Sequence, residues 1–464
     1  MFKLDPEIMR KTFRMGENGT NFTHKSAQYI KIFPFTANNT ATIITSFSTV
    51  IGEWLRLACN QNKVPESMED TSRKLANSID DIGDYEKKKL LQIVQSIYWD
   101  DDEKHSLKPK SIMAMCYIPS DDQAALKMAQ YLYSVLGNAQ DLKNAVNQAI
   151  ECAAKEANVL EKVVLGALEA KNERPKTIEP YYIVHHAPQE IFMKDLEFIL
   201  KNAERAKEYL VNLLEFYHFF YTSQTSLALS EFEEGNRHKI YRLYFSLDWE
   251  RTNKERDCYK FGWKKLLRAI KQQFYHAVTL EILNQNPTEE RFDYIALREC
   301  VEKNGGEDEM AFQIHCVCDL YRNAFSDCSE LNGVQKNKQL GIVFSEVRYL
   351  YESVQTQFKN TRRSRVSEAY VKHFETFCHD RFLKSRGASG LMLNITEEFL
   401  IFLTKLAIND EDKLSLNEVF HQFELRGVFL DQPSRDEVVQ FYTKLNVIEK
   451  KSDSGDAQYV RRIL

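Results

Sequence analysis

The C-terminal stretch Asn394–Leu464 constrains this chain most, because its helix starts, helix stops and apolar runs come in the order of one small fold. Asn394-Ile-Thr-Glu397 reads as a helix start, followed by the apolar run Phe399, Leu400, Phe402, Leu403 and Leu406. Ser415-Leu-Asn-Glu418 has capping-box spacing, in which the serine oxygen accepts a free backbone N–H and the glutamate reaches back. Gly427 tolerates the left-handed conformation that ends that helix. Val428-Phe-Leu430 is a short apolar strand, and Ser434-Arg-Asp-Glu437 repeats the capping pattern for a third helix ending near Asn446. Val447–Lys451 and Ala457–Leu464 then flank Ser452-Asp-Ser-Gly-Asp456, a strand–turn–strand pattern. Helix, helix, short strand, helix and hairpin is the order of a winged helix, a platform for nucleic acid or for a partner protein.

Upstream, the chain reads as mainly helical, with an irregular, partly extended arm over residues 1–40, an extended linker at Tyr181–Val184, and Ile240–Glu250 open between strand and helix. Only 16 glycines and 10 prolines in 464 residues predict long helices, and 43% apolar residues suffice for a large core. The fold class expected is mainly α: a multi-helix, bundle-like body with a C-terminal winged-helix-like module whose small β-hairpin is the wing. Thr42–Asn60 predicts a buried helix, and Ser120-Asp-Asp-Gln123 opens a helical stretch broken near Gly137-Asn138. Pro175, Pro180 and Pro188 mark the clearest boundary, since proline lacks an N–H and disfavours helix before it. Behind it Phe192, Leu196, Ile199, Ala203, Ala206, Leu210, Leu213 and Tyr217 form one continuous stripe, the seam of a single long helix. Gly387-Ala-Ser-Gly390 reads as a flexible joint. The domain division is therefore an N-terminal helical domain (1–174), a Pro-rich linker (175–190), a central helical domain (191–387) and the winged-helix-like domain (391–464).

The sequence offers little sign of catalysis. A P-loop needs Gly-Lys-Ser/Thr to bring backbone N–H groups and a lysine to phosphates, and the pair Gly-Lys does not occur. His-Glu-x-x-His is also absent. His315-Cys-Val-Cys318 with Cys328 has ligand-type residues, but Cys-x-Cys in a helical run points its thiols to different faces, so buried free cysteines are expected. His185-His186 lacks an acid or nucleophile at catalytic spacing and reads as a surface or capping pair. One rival remains: Asp431 after a strand and Glu449-Lys-Lys451 on the next resemble the acids and lysine of a metal-dependent nuclease, although a helix separates them. The expectation is an accessory protein without intrinsic activity or cofactor. Nine cysteines without a disulfide framework, no apolar signal core and no membrane-length apolar run predict a cytoplasmic location.

Cations are the stronger signal. The net charge is −5, so nucleic-acid binding would rest on local patches. Lys359 to Arg386 carries eight Lys or Arg against three acids, including Arg362, Arg363 and Arg365, and the wing adds Lys450, Lys451, Arg461 and Arg462. These seven are the candidate DNA-contacting residues, tracking phosphates without reading sequence. A solvated face or a dock for an acidic partner is an equal alternative. The third helix is a poor groove reader, since Arg435 and Lys444 are offset by Asp436 and Glu437.

Three stretches carry a family resemblance: Tyr244-Phe-Ser-Leu-Asp-Trp-Glu-Arg-Thr-Asn-Lys-Glu-Arg256, Tyr259-Lys-Phe-Gly-Trp263 and Lys451-Ser-Asp-Ser-Gly-Asp-Ala-Gln-Tyr-Val460. In them the chain resembles the DptG family, the G subunit of the bacterial phosphorothioation-dependent DNA restriction system. The likeness spans most of the chain and includes no catalytic residue. It implies a non-catalytic subunit working with two larger subunits, DptF and DptH, which supply nucleotide-driven functions. Together they attack DNA lacking the sulfur mark that the host's Dnd enzymes install. From the residues alone, a stand-alone winged-helix DNA-binding regulator remains the alternative, and a nuclease using Asp431, Glu449 and Lys451 the third.

Overall fold

The computed structural model describes residues 2–16, 22–24, 27–38, 40–60, 68–77, 83–99, 108, 110–118, 122–168, 178–286, 288–450 and 458–463. It is mainly helical, with short strands only between Leu243 and Arg461 among the described residues. The N-terminal third contains α1 (Pro6–Thr12), α2 (Val50–Cys59), α3 (Met68–Asn77), α4 (Asp84–Tyr98), α5 (Ile112–Met115), α6 (Gln123–Val135), α7 (Ala139–Glu156) and α8 (Val159–Ala167). Asp122, Asn138 and Asn158 cap α6, α7 and α8 with side-chain oxygens that accept first-turn N–H groups. The helix expected from Thr42 begins only at Val50. Before it, the Phe47 N–H is bonded to the Glu215 carboxylate at 3.1 Å and the Phe47 ring packs on Phe377, which holds this approach non-helical.

The expected single stripe is two helices, α9 (Ala187–Leu200) and α10 (Ala203–Ser230). Asn202 breaks it: its side chain accepts the Arg205 N–H at 2.9 Å, the local bond that favours Asn at a helix start over a helix interior. α10 has 28 residues, about 42 Å of helix, and is buried on every side from Leu213 to Leu229. The stretch 178–186 ahead of α9 is packed rather than loose: Tyr181, Val184 and His185 are buried, and the Tyr221 hydroxyl accepts the Val184 N–H.

After α10 come β1 (Leu243–Tyr244), β2 (Ser246–Leu247), α11 (Asp257–Lys260), α12 (Trp263–Ile270), α13 (Gln273–Leu283), α14 (Tyr294–Asn304), α15 (Glu307–Ala324), α16 (Ile342–Lys359) and α17 (Ser364–Phe382). The N-terminal arm is pinned to α13. The buried Glu281 carboxylate accepts the backbone N–H groups of Gln28, Tyr29 and Ile30 at 3.0 to 3.3 Å. Burial nevertheless outweighs these bonds and raises its pKa to about 7.

β3 (Leu383–Ser385) and β4 (Leu391–Ile395) pair antiparallel, so the expected joint at 387–390 is the loop of a hairpin. Gly387 and Gly390 take positive φ there, and the Arg386 N–H closes the loop on the Gly390 carbonyl at 2.8 Å. The rest of the chain is α18 (Glu397–Ile408), β5 (Lys413–Ser415), α19 (Leu416–Leu425), β6 (Val428–Phe429), α20 (Gln432–Lys444), β7 (Ile448–Lys450) and β8 (Gln458–Arg461). Most of the buried apolar residues form one contiguous cluster from Phe2 to Val460, drawing on the N-terminal, central and C-terminal segments alike. Among the described residues no helix is long and apolar enough to cross a membrane.

Candidate functional site

The C-terminal module has the winged-helix arrangement. β5, β8 and β7 form an antiparallel sheet in that order, with β8 central, and α18, α19 and α20 pack beside it. Thr396 caps α18 and Ser415 caps α19, each accepting the N–H three residues on. Asn394 is in β4 rather than at the helix start, paired with β2. α20 is capped by Asp431, three residues before the expected Ser434, with Pro433 in the first turn. Proline needs no amide partner there, so the helix starts as early as the aspartate allows. Gly427 has φ +75°, and a Cβ on it would lie 2.7 Å from the Phe220 ring of α10.

That close approach is part of a junction between module and body. Arg426 and Asp195 of α9 form an ion pair with neither side chain exposed, at 2.8 and 2.5 Å. Tyr217 donates to the same carboxylate at 2.7 Å, and Arg426 also donates to the carbonyls of Gln422 and Leu406. The segment 243–256 clasps the module from the other side. β1 pairs in parallel with β6 and β2 with β4, and the Trp249 ring stacks on Phe441 of α20 at 5.1 Å. Glu250 accepts the Ser434 hydroxyl at 3.0 Å, and Arg256 makes two bonds to Asp431 at 2.8 and 2.6 Å. Burial alone would raise the Asp431 pKa, but the bond and charge of Arg256 outweigh it and hold it below the usual value. Glu250 is pushed upward, burial outweighing Arg256.

This clasp occupies the inward side of the α20 first turn. In helix-turn-helix proteins the N-terminal residues of the second helix contact base edges. Here that turn leaves Gln432, Pro433 and Asp436 exposed, with Gln432 bonded to Asp436 at 2.8 Å. A carboxylate there repels phosphate, and Arg435 is bonded to Glu424 and the Leu430 carbonyl.

The expected cationic residues have different surroundings. Arg362 and Arg365 are exposed at the start of α17. Arg363 makes two bonds to Asp327 at 3.1 and 3.2 Å and one to Gln357, lying over the Phe325 ring. Arg381 pairs with Glu215, Lys384 with Asp248, and Arg386 donates to five backbone or side-chain oxygens of β2, β4 and the turn after β2. Arg461 is exposed and donates to the Asn446 carbonyl at 2.5 Å, and Arg462 lies 3.7 Å from Asp410. Lys450 pairs with Gln458 through the backbone ladder, and Lys451 lies outside the described residues. Arg362 and Arg365 thus stand at the start of α17, and Arg461 and Arg462 at the end of β8, in separate elements of the fold.

Of the nuclease constellation, Asp431 and Glu449 flank α20 at its two ends, and Lys451 lies outside the described residues. Asp431 is held by Arg256 at the start of α20, and Glu449 is bonded to Lys413 at 2.7 Å beyond its end. The cysteines at 316, 318 and 328 are free, the latter two buried, and no group of three metal-type ligands occurs among the described residues. His185 is buried against the Lys239 carbonyl, and burial lowers its pKa to about 4. His186 is bonded to Gln189 at the start of α9. Sequence reasoning missed Asp195, Arg426, Glu250 and Arg256, since no local pattern links residues so far apart. No protein-family model and no curated protein matches this chain.

Proposed function

We propose that the chain is a non-catalytic subunit of a bacterial phosphorothioation-dependent DNA restriction complex, as its resemblance to DptG implies. In this reading it works in the cytoplasm, scaffolds the larger DptF and DptH subunits that supply nucleotide-driven steps, and contacts DNA weakly without reading sequence. The observation that carries the reading is the clasp. The segment 243–256, which bears the DptG-like wording, fixes the winged-helix module to the body through Glu250, Arg256, Asp431 and Ser434. A module so fixed suits a rigid scaffold better than a mobile groove reader. The proposed DNA contacts are Arg362, Arg363, Arg365, Lys450, Lys451, Arg461 and Arg462, led by the exposed Arg362 and Arg365. Affinity of this kind arises from phosphate contacts and becomes useful when partners hold the same duplex. The test is purification of the tagged full chain from cells that encode it. Co-elution of ATPase-type subunits is the expected result. Elution of the chain alone, with tight binding to one DNA sequence, would replace this reading with that of a stand-alone regulator.

A further inference from the structure

A cleft of about 240 Å³ lies between the N-terminal arm, the first turns of α6 and the outer side of α17. Its apolar lining includes Phe35, Ile44 and Met128, all buried. Around these stand Thr36, Thr42, Gln123 and His373, which offer hydrogen-bond donors and acceptors, and one charge of each sign, Asp122 and Lys127. The His373 ring lies parallel to Phe35 at 5.7 Å, with its Nε2 3.5 Å from the Thr36 hydroxyl. Burial, with the nearby Lys127 charge, lowers the His373 pKa, so its imidazole is neutral at physiological pH. The balanced charge disfavours a free anion, and so many polar groups around an apolar floor suit a planar, polar, uncharged ring better than an aliphatic side chain.

α17 supplies the second half of the argument. Arg365 and Lys372 are exposed and, at 100° per residue, fall within about 20° of one another around this helix, and Arg362 is exposed in the turn that leads into it. Lys372 is the neighbour of His373. We infer that this cleft holds an unpaired nucleobase of a DNA strand whose phosphates lie along Arg362, Arg365 and Lys372. The inference rests on the DNA contact proposed above and makes it specific: the α17 surface binds single-stranded or locally opened DNA in preference to duplex. A base in the cleft adds a ring contact that a stacked, paired base cannot make.

Binding of the full chain to a short single strand and to the matching duplex tests this, with an aminopurine base analogue in the strand as reporter. One accommodated base contributes about 1–3 kcal/mol, so the single strand is expected to bind roughly tenfold more tightly, with a changed analogue emission. Thr42→Trp and Gln123→Trp, both at exposed rim positions, fill the cleft. Either is expected to abolish the preference while duplex binding is unchanged. Arg362→Glu with Arg365→Glu weakens both forms alike. No single-strand preference in the unaltered protein, unchanged emission on binding, or a preference that survives both tryptophans would overturn the inference and leave the DNA contact standing. Failure of the unaltered protein to bind either form would overturn the DNA contact and the inference together.

Discussion

Replacing Asp195 by alanine exposes how the module is held. The change leaves the Arg426 guanidinium fully buried, with only the carbonyls of Gln422 and Leu406 and the Gln422 side chain as partners. It also removes the acceptor of the buried Tyr217 hydroxyl. Removing one member of a buried pair costs about 3–5 kcal/mol, because the remaining charge keeps its desolvation penalty without its counter-ion. Loss of the Tyr217 bond acts in the same direction, though the two effects share one carboxylate and do not simply add. Asp195→Ala combined with Arg426→Met is expected to be less destabilising than Asp195→Ala alone, because it removes the orphaned charge. Urea unfolding of the three variants measures the difference, and hydrogen exchange localises it to the module and α9. A loss below about 1 kcal/mol in Asp195→Ala, or a double variant weaker than the single one, would refute the reasoning.

Arg256→Ala leaves the carboxylates of Glu250 and Asp431 without their shared cation, and a stability loss of at least about 2 kcal/mol is expected in urea unfolding. Because the folded Asp431 pKa is lowered, its contribution is present above the unfolded value of 3.8 and lost as pH falls through the lower folded value. That acid-side loss is expected to shrink in Arg256→Ala, as followed by urea midpoints across acidic pH. Glu281 behaves oppositely: its raised pKa means ionisation opposes folding, so stability falls between pH 4.5 and about 7, by up to about 3 kcal/mol. Glu281→Gln is expected to flatten that slope in a pH series of midpoints, while loosening residues 28–30 in hydrogen exchange. Gly427→Ala is expected to cost more than the roughly 1–2 kcal/mol of a left-handed residue, since the new Cβ also meets Phe220.

The local chemistry of the module was legible in the sequence. Ser415 and Gly427 act at the expected helix start and stop because a cap involves residues only a few positions apart. At α20 the limit shows: Asp431 and Ser434 both have capping spacing, and the proline between them decides for Asp431. The stripe from Phe192 to Tyr217 is real as a buried face, but period alone did not reveal that Asn202 interrupts it. What was illegible is long-range. Arg256 and Asp431 are 175 positions apart, and Glu250 and Ser434 are 184 apart. No periodicity links such partners. The same holds for the cations: Arg363, Arg381 and Lys384 are taken up by Asp327, Glu215 and Asp248, acids invisible in the basic run itself. Charge density in sequence therefore overstated the free cationic surface.

The central claim is that this chain is a rigid subunit whose contact with DNA is weak and indifferent to sequence. Titration of the purified full chain against several unrelated duplexes at physiological salt tests it directly. The account requires dissociation constants in the non-specific range, roughly 10⁻⁴–10⁻⁶ M, alike for every sequence and rising with salt. It also requires Arg362→Glu with Arg365→Glu to weaken all of them equally. Nanomolar binding to one duplex over the others, unaffected by those two changes, would contradict it.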